Sequence, residues 1–170
     1  MTADAADPAD RGLVVVDIDG VVADVAHRLR HLRHSPKNWD AFFAGMADDP
    51  LLAEGAAAVS RASADHDLVW VTGRPARYAD VTARWLAARG LPSAPVHHRP
   101  DGDRRPADVV KREIVRRLSR DRRVVLVIDD DDAVCATLRA AGFSVFQADW
   151  AETTGDSPAL RRAQHDEGRT

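Results

Sequence analysis

Cysteine and long apolar stretches are scarce in this sequence. Of its 170 residues only Cys135 is a cysteine, so the chain can form no intramolecular disulfide and has no CxxC or zinc-finger spacing. The longest apolar runs are about five residues, far short of a membrane span or the core of a signal peptide. We therefore expect a protein of a reducing, cytoplasmic setting that is neither secreted nor inserted in a membrane.

Charge of one sign does not dominate the chain either. A net charge of -3 gives no overall basic field of the kind found in proteins that coat nucleic acid. Basic residues concentrate in residues 111–123 and acidic residues in residues 1–24. With 45% hydrophobic and 30% charged residues, the length suits one soluble globular domain and excludes a wholly disordered, collagenous or fibrous chain.

Short apolar runs alternate with helical patterns along residues 13–150. Apolar, β-branched runs predict buried strands, and helical periodicity between them predicts connecting helices. The predicted strands are residues 13–16, 68–71, 95–98, 124–128 and 144–147, and the predicted helices are residues 54–64, 76–89, 107–118 and 133–141. This order predicts an α/β fold, with a parallel sheet of about five strands and helices on both faces.

Three segments fall outside this alternation. Residues 1–12 form an acidic arm without periodicity, which we expect to be disordered. Residues 24–54 are too long for a simple strand-to-helix loop and predict a small helical cap insertion over one end of the sheet. Residues 151–170 predict a polar tail with one short helix at residues 158–164.

Polar residues follow three of the predicted strands. In open parallel sheets, ligands bind beyond the carboxyl ends of the strands, where these side chains would meet. Carboxylates crowded there repel one another unless a cation intervenes, and oxygen ligands suit Mg²⁺. We expect the metal ligands to be Asp17, Asp19, Asp129 and Asp130, with Asp129 as first choice. Asp131 and Asp132 are expected to cap the helix that follows.

Asp17 and Asp19 also suit covalent phosphoryl transfer. Alternation along a strand points them apart, but a bend at Gly20 can turn the second side chain back into the same pocket. Asp17 could then attack phosphorus, and Asp19 could protonate the leaving oxygen and later take a proton from water.

The segment Thr72-Gly73-Arg74 and Lys111 would serve the phosphate. The Thr72 hydroxyl and the backbone amides around Gly73, at an expected helix start, would hold phosphate oxygens together with Arg74. Lys111 would offset the negative charge of both the nucleophile and the phosphate.

Four ordered motifs carry a resemblance to a known superfamily. They are DIDG at residues 17–20, TGR at residues 72–74, Lys111, and IDD at residues 128–130. Together they resemble the motifs of the haloacid dehalogenase (HAD) superfamily. The resemblance implies a Rossmann-like core, a magnesium ion and an aspartyl-phosphate intermediate, with Asp17 as nucleophile and Asp19 as general acid/base.

A narrower resemblance covers residues 13–150. The pattern RxxGDxRxxDVVKxEI at residues 99–114, with GxxVxQ at residues 142–147, is similar to the 3'-phosphatase domain of phage polynucleotide kinase. It implies a phosphate on the 3' end of DNA, RNA or a nucleotide. It also implies substrate-contacting or supporting roles for Arg99, Arg105, Asp108 and Asp130.

The sequence departs from that pattern at two positions. Thr72 stands where the family usually has serine, and Ala107 replaces the first member of an expected acidic pair. No GxxxxGK[ST] motif is present, so the kinase half is absent from this chain and a separate kinase or ligase is a possible partner. The oligomeric state is open.

The insertion contains two groups whose roles stay open. The first group consists of His27, His31 and His34, which have the i, i+4 and i+7 spacing of a helix face. This spacing allows a zinc site, a basic lid facing phosphates or a solvated face. The second group consists of Trp39, Phe42 and Phe43. These residues could stack on a nucleobase or form a small core of the insertion, and we favour the core.

Three functions fit these residues. The first is a magnesium-dependent phosphatase of 3'-phosphorylated nucleic-acid ends or nucleotides, as in end repair. The second is a small-molecule HAD phosphatase such as a 5'-nucleotidase or deoxyribonucleotidase. The third is a HAD-like module that holds phosphate without turnover, which the intact Asp17, Asp19 and Lys111 argue against.

Overall fold

A five-stranded parallel sheet forms the centre of the structure, a computed structural model that describes residues 11–151. The strands lie in the order β3-β2-β1-β4-β5. Their bounds are β1 Leu13–Val16, β2 Asp67–Pro75, β3 Val96–Arg99, β4 Val124–Asp129 and β5 Val145–Gln147. The α-helices are α1 Trp39–Ala44, α2 Ala53–Asp65, α3 Ala79–Ala88, α4 Ala107–Asp121 and α5 Asp132–Ala140, and short 3-10 segments are Ala26–Leu32, Gly45–Asp48 and Ala76–Tyr78. The predicted α/β fold is confirmed.

Two predicted segments lie largely outside the described residues. They are the acidic arm at residues 1–12 and the polar tail at residues 151–170 with its short helix at residues 158–164. Among the helices of residues 11–151, none has the length and apolar character needed to cross a bilayer.

Strand β1 is buried on both faces because it lies in the middle of the sheet with helices above and below. Val14 and Val16 belong to the core cluster that also contains Val59 of α2 and Trp85 of α3. Val15 belongs to the cluster on the opposite face, which includes residues of α4 and α5. An uninterrupted run of β-branched residues suits such a strand, since successive side chains point to opposite faces and both faces are apolar.

The pairing of β1 brings the ends of three strands to one edge. Val16 pairs with Trp70 of β2 on one side and with Ile128 of β4 on the other. Asp17 follows Val16 and Asp129 follows Ile128, so the two aspartates lie side by side at the carboxyl edge of the sheet. The chain builds outward from β1 in one direction with β2 and β3, then in the other with β4 and β5, so this edge is the switch point at which ligand sites form.

Strand β2 is longer than the sequence pattern predicted. It pairs with β3 as far as Pro75 and Arg99, so the Thr-Gly-Arg segment at residues 72–74 lies inside the strand, not at a helix start. A 3-10 turn, Ala76–Tyr78, follows, and α3 begins only at Ala79. The expectation that backbone amides of a helix start surround Gly73 is therefore wrong. Buried partners of this polar segment, described below, keep it in the sheet.

A small core of its own holds the insertion together. The aromatic rings of α1 contact each other, with centroid separations between 5.4 and 5.9 Å. The buried cluster consists of Val25, Leu29, Leu32, Trp39, Phe42, Phe43 and Met46. The interpretation of the three aromatic residues as a core of the insertion is thus confirmed.

The histidines of the insertion do not form a shared metal-binding face. Ala26–Leu32 is a 3-10 helix, with about three residues per turn, so i and i+4 positions do not align as they do in an α-helix. His27 instead contacts Asp49 through Nε2 at 2.8 Å, and His34 lies beyond the end of the segment. Across residues 11–151, no group of metal-binding side chains includes these histidines.

Helix α2 packs directly on the backbone that leads from β1 into the insertion. Gly55 lies on its buried face, where a Cβ atom would overlap the carbonyl oxygen of Val21 and lie 3.2 Å from the Cα of Val22. Only glycine allows this close approach, which fixes the loop immediately after Asp19.

Gly55→Ala is therefore expected to lower the free energy of unfolding by about 3 kcal/mol, since the obstructing atoms are backbone and cannot rotate away. Urea unfolding followed by circular dichroism measures the change. Ser60→Ala, on the exposed side of the same helix, is the control and should stay within about 0.5 kcal/mol of the parent. A Gly55→Ala protein as stable as the parent would contradict the packing.

Candidate active site

Asp17, Lys111 and Asp129 form a buried ionic contact at the carboxyl edge of the sheet. Lys111 projects from α4 and is 4% exposed. Its Nζ lies 2.8 Å from Oδ2 of Asp17 and donates to Oδ2 of Asp129 at 2.7 Å. The sequence expectation that Lys111 stands beside the first aspartate therefore agrees with the geometry.

Three carboxylates of this edge are close enough to share a cation. Asp17, Asp129 and Asp130 each offer an oxygen within 4.8 Å of the others, and all three are buried. Oδ1 of Asp17 is buried and has no hydrogen-bond partner within residues 11–151. A carboxylate oxygen left in that state is costly unless a cation or donor faces it, so the residues fit a hard divalent metal ion.

Gly20 leaves the space that the Asp130 carboxylate occupies. It adopts a φ of 80°, a conformation that glycine tolerates, and a Cβ there would overlap the carboxylate of Asp130. The bend at Gly20 therefore lets the segment after β1 pack against the carboxylate of Asp130 at the end of β4.

The pKa values in this cluster follow from burial and crowding. Burial raises the pKa of Asp17 to about 7, with Lys111 opposing the shift and Asp129 and Asp19 adding to it. Burial and the charge of Asp129 also raise the pKa of Asp130. Burial alone would lower the pKa of Lys111, but the two carboxylates beside it raise it, so the ammonium stays charged.

Asp19 lies in different surroundings from Asp17. Its Oδ1 accepts hydrogen bonds from Nη2 of both Arg28 and Arg74 at 2.7 Å, and its Oδ2 accepts one from Nε of Arg74 at 3.0 Å. Burial would raise the pKa of Asp19, but the two guanidinium groups outweigh it and lower the pKa to about 2. Both of its oxygens are engaged by arginines, and Asp19 lies outside the group formed by Asp17, Asp129 and Asp130, so its assignment as a metal ligand stays a prediction.

Asp49, which the sequence analysis did not identify, connects the insertion to the core. Its carboxylate accepts hydrogen bonds from Nε and Nη2 of Arg28, both at 2.8 Å, and from Nη2 of Arg74 at 3.0 Å. Its backbone carbonyl accepts from the indole of Trp85 at 2.9 Å and from Arg89 at 2.8 Å. Asp49 is fully buried, and it thereby fixes both arginines that hold Asp19.

Arg28 was also missed as a functional candidate. It is 1% exposed and lies 4.2 Å over the ring of Phe42. Nη1 of Arg28 and Nη1 of Arg74 are both buried without a hydrogen-bond partner in the described part of the chain. Each guanidinium group therefore keeps one N–H group for a ligand.

Thr72 lies in β2 with its side chain fully buried. Its Oγ1 accepts a hydrogen bond from the backbone N–H of Arg74 at 3.2 Å. This local contact fixes the hydroxyl next to the segment that carries Arg74. Its own proton remains available as a donor.

Arg99, Arg105 and Asp108 are not gathered around the carboxylates. Arg99 is buried and donates to the carbonyl oxygens of Gly73 at 3.3 Å and of Arg105 at 2.8 Å, which ties the loop after β3 to β2. Arg105 is exposed and pairs with carboxylates of its own loop and of α4. Asp108 accepts a hydrogen bond from Thr137 at 3.0 Å and joins α4 to α5. These contacts give the three residues a role in packing the loop and helices.

The remaining aspartates begin helix α5. Oδ1 of Asp131 accepts a hydrogen bond from the backbone N–H of Val134 at 2.9 Å, so Asp131 is the N-cap residue, and Asp132 lies in the first turn. Both were predicted to act at this helix start, and the prediction is confirmed.

A parallel sheet with an aspartate after its central strand, a second aspartate two residues later and a lysine on the acidic edge defines a phosphatase domain of the HAD class. The sequence matches the family of the polynucleotide kinase PNKP phosphatase domain over residues 11–152. The chain therefore belongs to that family, and the predicted resemblance is confirmed.

Comparison with solved structures supports the same fold. A chain of the Pnkp1/Rnl/Hen1 complex is 20% identical with a TM-score of 0.66, over 86% of this chain and 49% of that one. A chain of the Pnkp1/Rnl/Hen1 RNA repair complex is 22% identical with a TM-score of 0.65, over 86% of this chain and 45% of that one. The chain thus spans about half the length of these two relatives.

A haloacid dehalogenase-like hydrolase from Streptococcus pneumoniae matches at full domain length. It is 11% identical with a TM-score of 0.57, over 93% of each chain. At these identities the likeness shows the fold. Comparison with curated protein sequences gave no significant match.

The raised pKa of Asp17 predicts that its charge destabilises the metal-free protein. The folded-state pKa of about 7 lies above the ordinary value of 3.8, so the penalty is absent below pH 4, grows between pH 4 and 7, and is complete above pH 7. Asp17→Asn should therefore be more stable than the parent by about 2 to 4 kcal/mol at pH 8 in EDTA, with no such difference near pH 4.

Urea unfolding at several pH values measures this difference. Asp65→Asn, an exposed carboxylate at the end of α2, is the control and should show no comparable gain. An Asp17→Asn protein that is less stable than the parent at pH 8 would contradict this prediction. It would show that the attraction between Asp17 and Lys111 outweighs the cost of burying the Asp17 charge beside Asp129.

Proposed function

We propose that this domain is a magnesium-dependent phosphomonoesterase that removes 3'-phosphates from nucleic-acid ends or nucleotides through an aspartyl-phosphate. The observation that carries the proposal is the buried Asp17 carboxylate. One oxygen contacts Lys111, the other has no hydrogen-bond partner within residues 11–151, and two further carboxylates lie beside it. Membership of the polynucleotide kinase PNKP phosphatase family supports the 3' assignment.

Asp17 is the nucleophile of the first step. Its free oxygen attacks phosphorus, a new O–P bond forms, and the bond from phosphorus to the 3' oxygen of the substrate breaks. Lys111 contacts the other oxygen and stays charged, so it offsets the negative charge that gathers as the carboxylate approaches the phosphate.

Asp19 handles the protons of both steps. The departing 3' oxygen takes a proton, and a water molecule that then attacks phosphorus gives one up as the bond to Asp17 breaks and inorganic phosphate leaves. With a pKa of about 2, Asp19 rests as a carboxylate, ready to accept the proton of water. Its action as an acid requires that a bound phosphate first draw Arg28 and Arg74 away from it.

Mg²⁺, when bound, would neutralise the carboxylates and polarise the phosphate oxygens. Asp17, Asp129 and Asp130 are the residues that would hold it, because an oxygen of each lies within 4.8 Å of the others and Oδ1 of Asp17 has no hydrogen-bond partner in the described residues. Oxygen ligands alone favour Mg²⁺ over softer metals such as zinc.

The phosphate itself would be held by groups of β2. Thr72 retains a hydroxyl proton, and Arg74 retains a buried Nη1 without a partner in the described residues. Arg28 offers a second such donor from the insertion. These donors surround Asp19, where the leaving oxygen must be protonated.

The cap and the relatives support a nucleic-acid substrate. The insertion is short and forms one small core, and a cap of this size suits the end of a strand better than a large closed cap would. The related chain in the Pnkp1/Rnl/Hen1 RNA repair complex is about twice as long as the matched region. We include in the proposal that a separate kinase or ligase acts beside this domain, in the cytoplasm.

A matched pair of oligonucleotides tests the substrate. The same sequence is given a phosphate at the 3' end or at the 5' end, and phosphate release is measured with Mg²⁺ and with EDTA. We expect rapid release from the 3' end only, abolished by EDTA. Preference for the 5' ester would support a nucleotidase, and no release from either end would support a binding module.

Substitutions test the roles of the site residues. Asp17→Asn and Asp19→Asn should abolish phosphate release, and Lys111→Ala should reduce it by about two to three orders of magnitude, as loss of one preorganised donor does. Arg116→Ala, exposed on the same helix as Lys111, is the control with parental activity. For Asp129→Asn the measurement is metal dependence, and an unchanged Mg²⁺ requirement would contradict its role as ligand.

A further inference from the structure

A cavity lies at the amino edge of the sheet, opposite to the edge that carries the carboxylates. Its volume is about 500 Å³, within the roughly 300 to 1,000 Å³ of sites for small organic ligands. Leu13 and Asp67, the first residues of β1 and β2, belong to its wall, whereas Asp17 follows the last residue of β1. The cavity is therefore separate from the site proposed for the phosphatase reaction.

Much of the cavity wall is apolar. Leu68 and Val69 of β2 are buried there, the loop after α3 contributes Pro92 and Pro95, and α4 contributes Leu118. Such a wall takes the hydrocarbon part of a ligand out of water, which is favourable in proportion to the apolar area that is buried. A ligand of this cavity should therefore have an apolar body.

The arginines and the aspartate of the wall leave one positive charge in excess. Arg11 and Arg122 both contact the carboxylate of Asp67, at 3.0 and 2.7 Å, and Asp67 is the one acidic residue of this wall within residues 11–151. Arg122 makes its contacts through Nη2, while its Nε and Nη1 donate to no acceptor in the same part of the chain. Arg122 can therefore bind an anion without releasing Asp67.

The carbonyl groups at the end of α2 are already paired with a cation. The guanidinium group of Arg11 donates to the carbonyl oxygens of Ser63 at 3.2 Å, Ala64 at 3.3 Å and His66 at 2.9 Å. Unpaired carbonyl groups carry the negative end of a helix dipole. Because Arg11 pairs with them, this helix end is offset before a ligand arrives.

Two imidazole rings add hydrogen-bonding groups to the wall. Nδ1 of His66 is buried and has no hydrogen-bond partner in the described residues, a state that costs free energy until a ligand or water pairs with it. Burial and the charge of Arg117 lower the pKa of His97 below its ordinary value of 6.5, so that ring is uncharged at neutral pH. Both rings are available to a polar atom of a ligand.

We infer that this cavity is a binding site for a singly charged organic anion with an apolar body, such as an aromatic carboxylate. The single excess charge and the spare N–H groups of Arg122 match one acid group. The apolar wall and the volume match the body that carries it. The inference does not depend on the proposed function, since the cavity and the carboxylates lie at opposite edges of the sheet.

Trp70 reports on this cavity, because its indole N–H donates at 3.3 Å to the carbonyl oxygen of Pro92 in the wall. 1-Naphthoate is titrated into the ¹⁵N-labelled full chain at neutral pH, and the assigned indole N–H signals are recorded. We expect a saturable shift of the Trp70 signal. The signals of Trp85 and Trp150, which donate to the carbonyl oxygens of Asp49 and Val21, should stay in place.

The uncharged analogue 1-naphthalenemethanol tests the need for a charge. It should bind at least about 10-fold more weakly, because it forms no charge-assisted hydrogen bond with Arg122. Equal binding of the two compounds would overturn the assignment of an anion. A Trp70 signal that responds to neither compound would overturn the site itself, and so would a response confined to Trp85 or Trp150.

A substitution locates the acid group. Arg122→Gln should weaken the binding of 1-naphthoate about 10-fold and leave that of 1-naphthalenemethanol unchanged. Arg120→Ala, exposed near the end of α4 and outside the cavity wall, is the control with parental binding. Undiminished binding of 1-naphthoate by Arg122→Gln would show that the anion binds elsewhere. If Arg122→Gln does not fold, the two compounds on the parent protein decide.

Discussion

The carboxyl edge of the sheet is organised around an imbalance of charge. Parallel pairing of β1 with β4 places Asp17 beside Asp129, and Asp130 follows, so three carboxylates gather where little water reaches them. One ammonium group, that of Lys111, contacts two of them but does not neutralise the group, and the pKa of Asp17 stays near 7. The missing positive charge makes this edge suited to a divalent cation.

A second ionic group, built on Asp49, gives Asp19 the opposite character. Two aspartates separated by a single residue thereby have pKa values of about 7 and about 2. The cause is their neighbours: Asp17 faces other carboxylates, whereas Asp19 faces Arg28 and Arg74, both of which Asp49 holds in place. Such separate surroundings allow two like residues to serve as the nucleophile and the proton carrier that we propose for Asp17 and Asp19.

The fold could be predicted from the sequence because its signals are local. The runs at residues 13–16 and 124–128 are apolar throughout, and strand and helix patterns alternate between them. The site was predicted in part: Asp17, Lys111 and Asp129 do meet. Arg28 and Asp49 were missed since their burial depends on partners up to 40 residues away, and inside HRLRHLRH and DDP they have the local pattern of solvated residues. The same long-range contacts keep polar residues 72–74 in β2, against the local pattern of a strand end.

The position of Asp49 at the end of the insertion has a consequence for how this domain can evolve. Its carboxylate balances two buried guanidinium groups, and its carbonyl is bound to Trp85 and Arg89 of the helix region after β2. A deletion that removed Asp49 would leave two buried guanidinium groups to share the carboxylate of Asp19. Substitutions on the outer surface of the cap should therefore be tolerated, whereas a change at Asp49 would disturb the arginines beside β1.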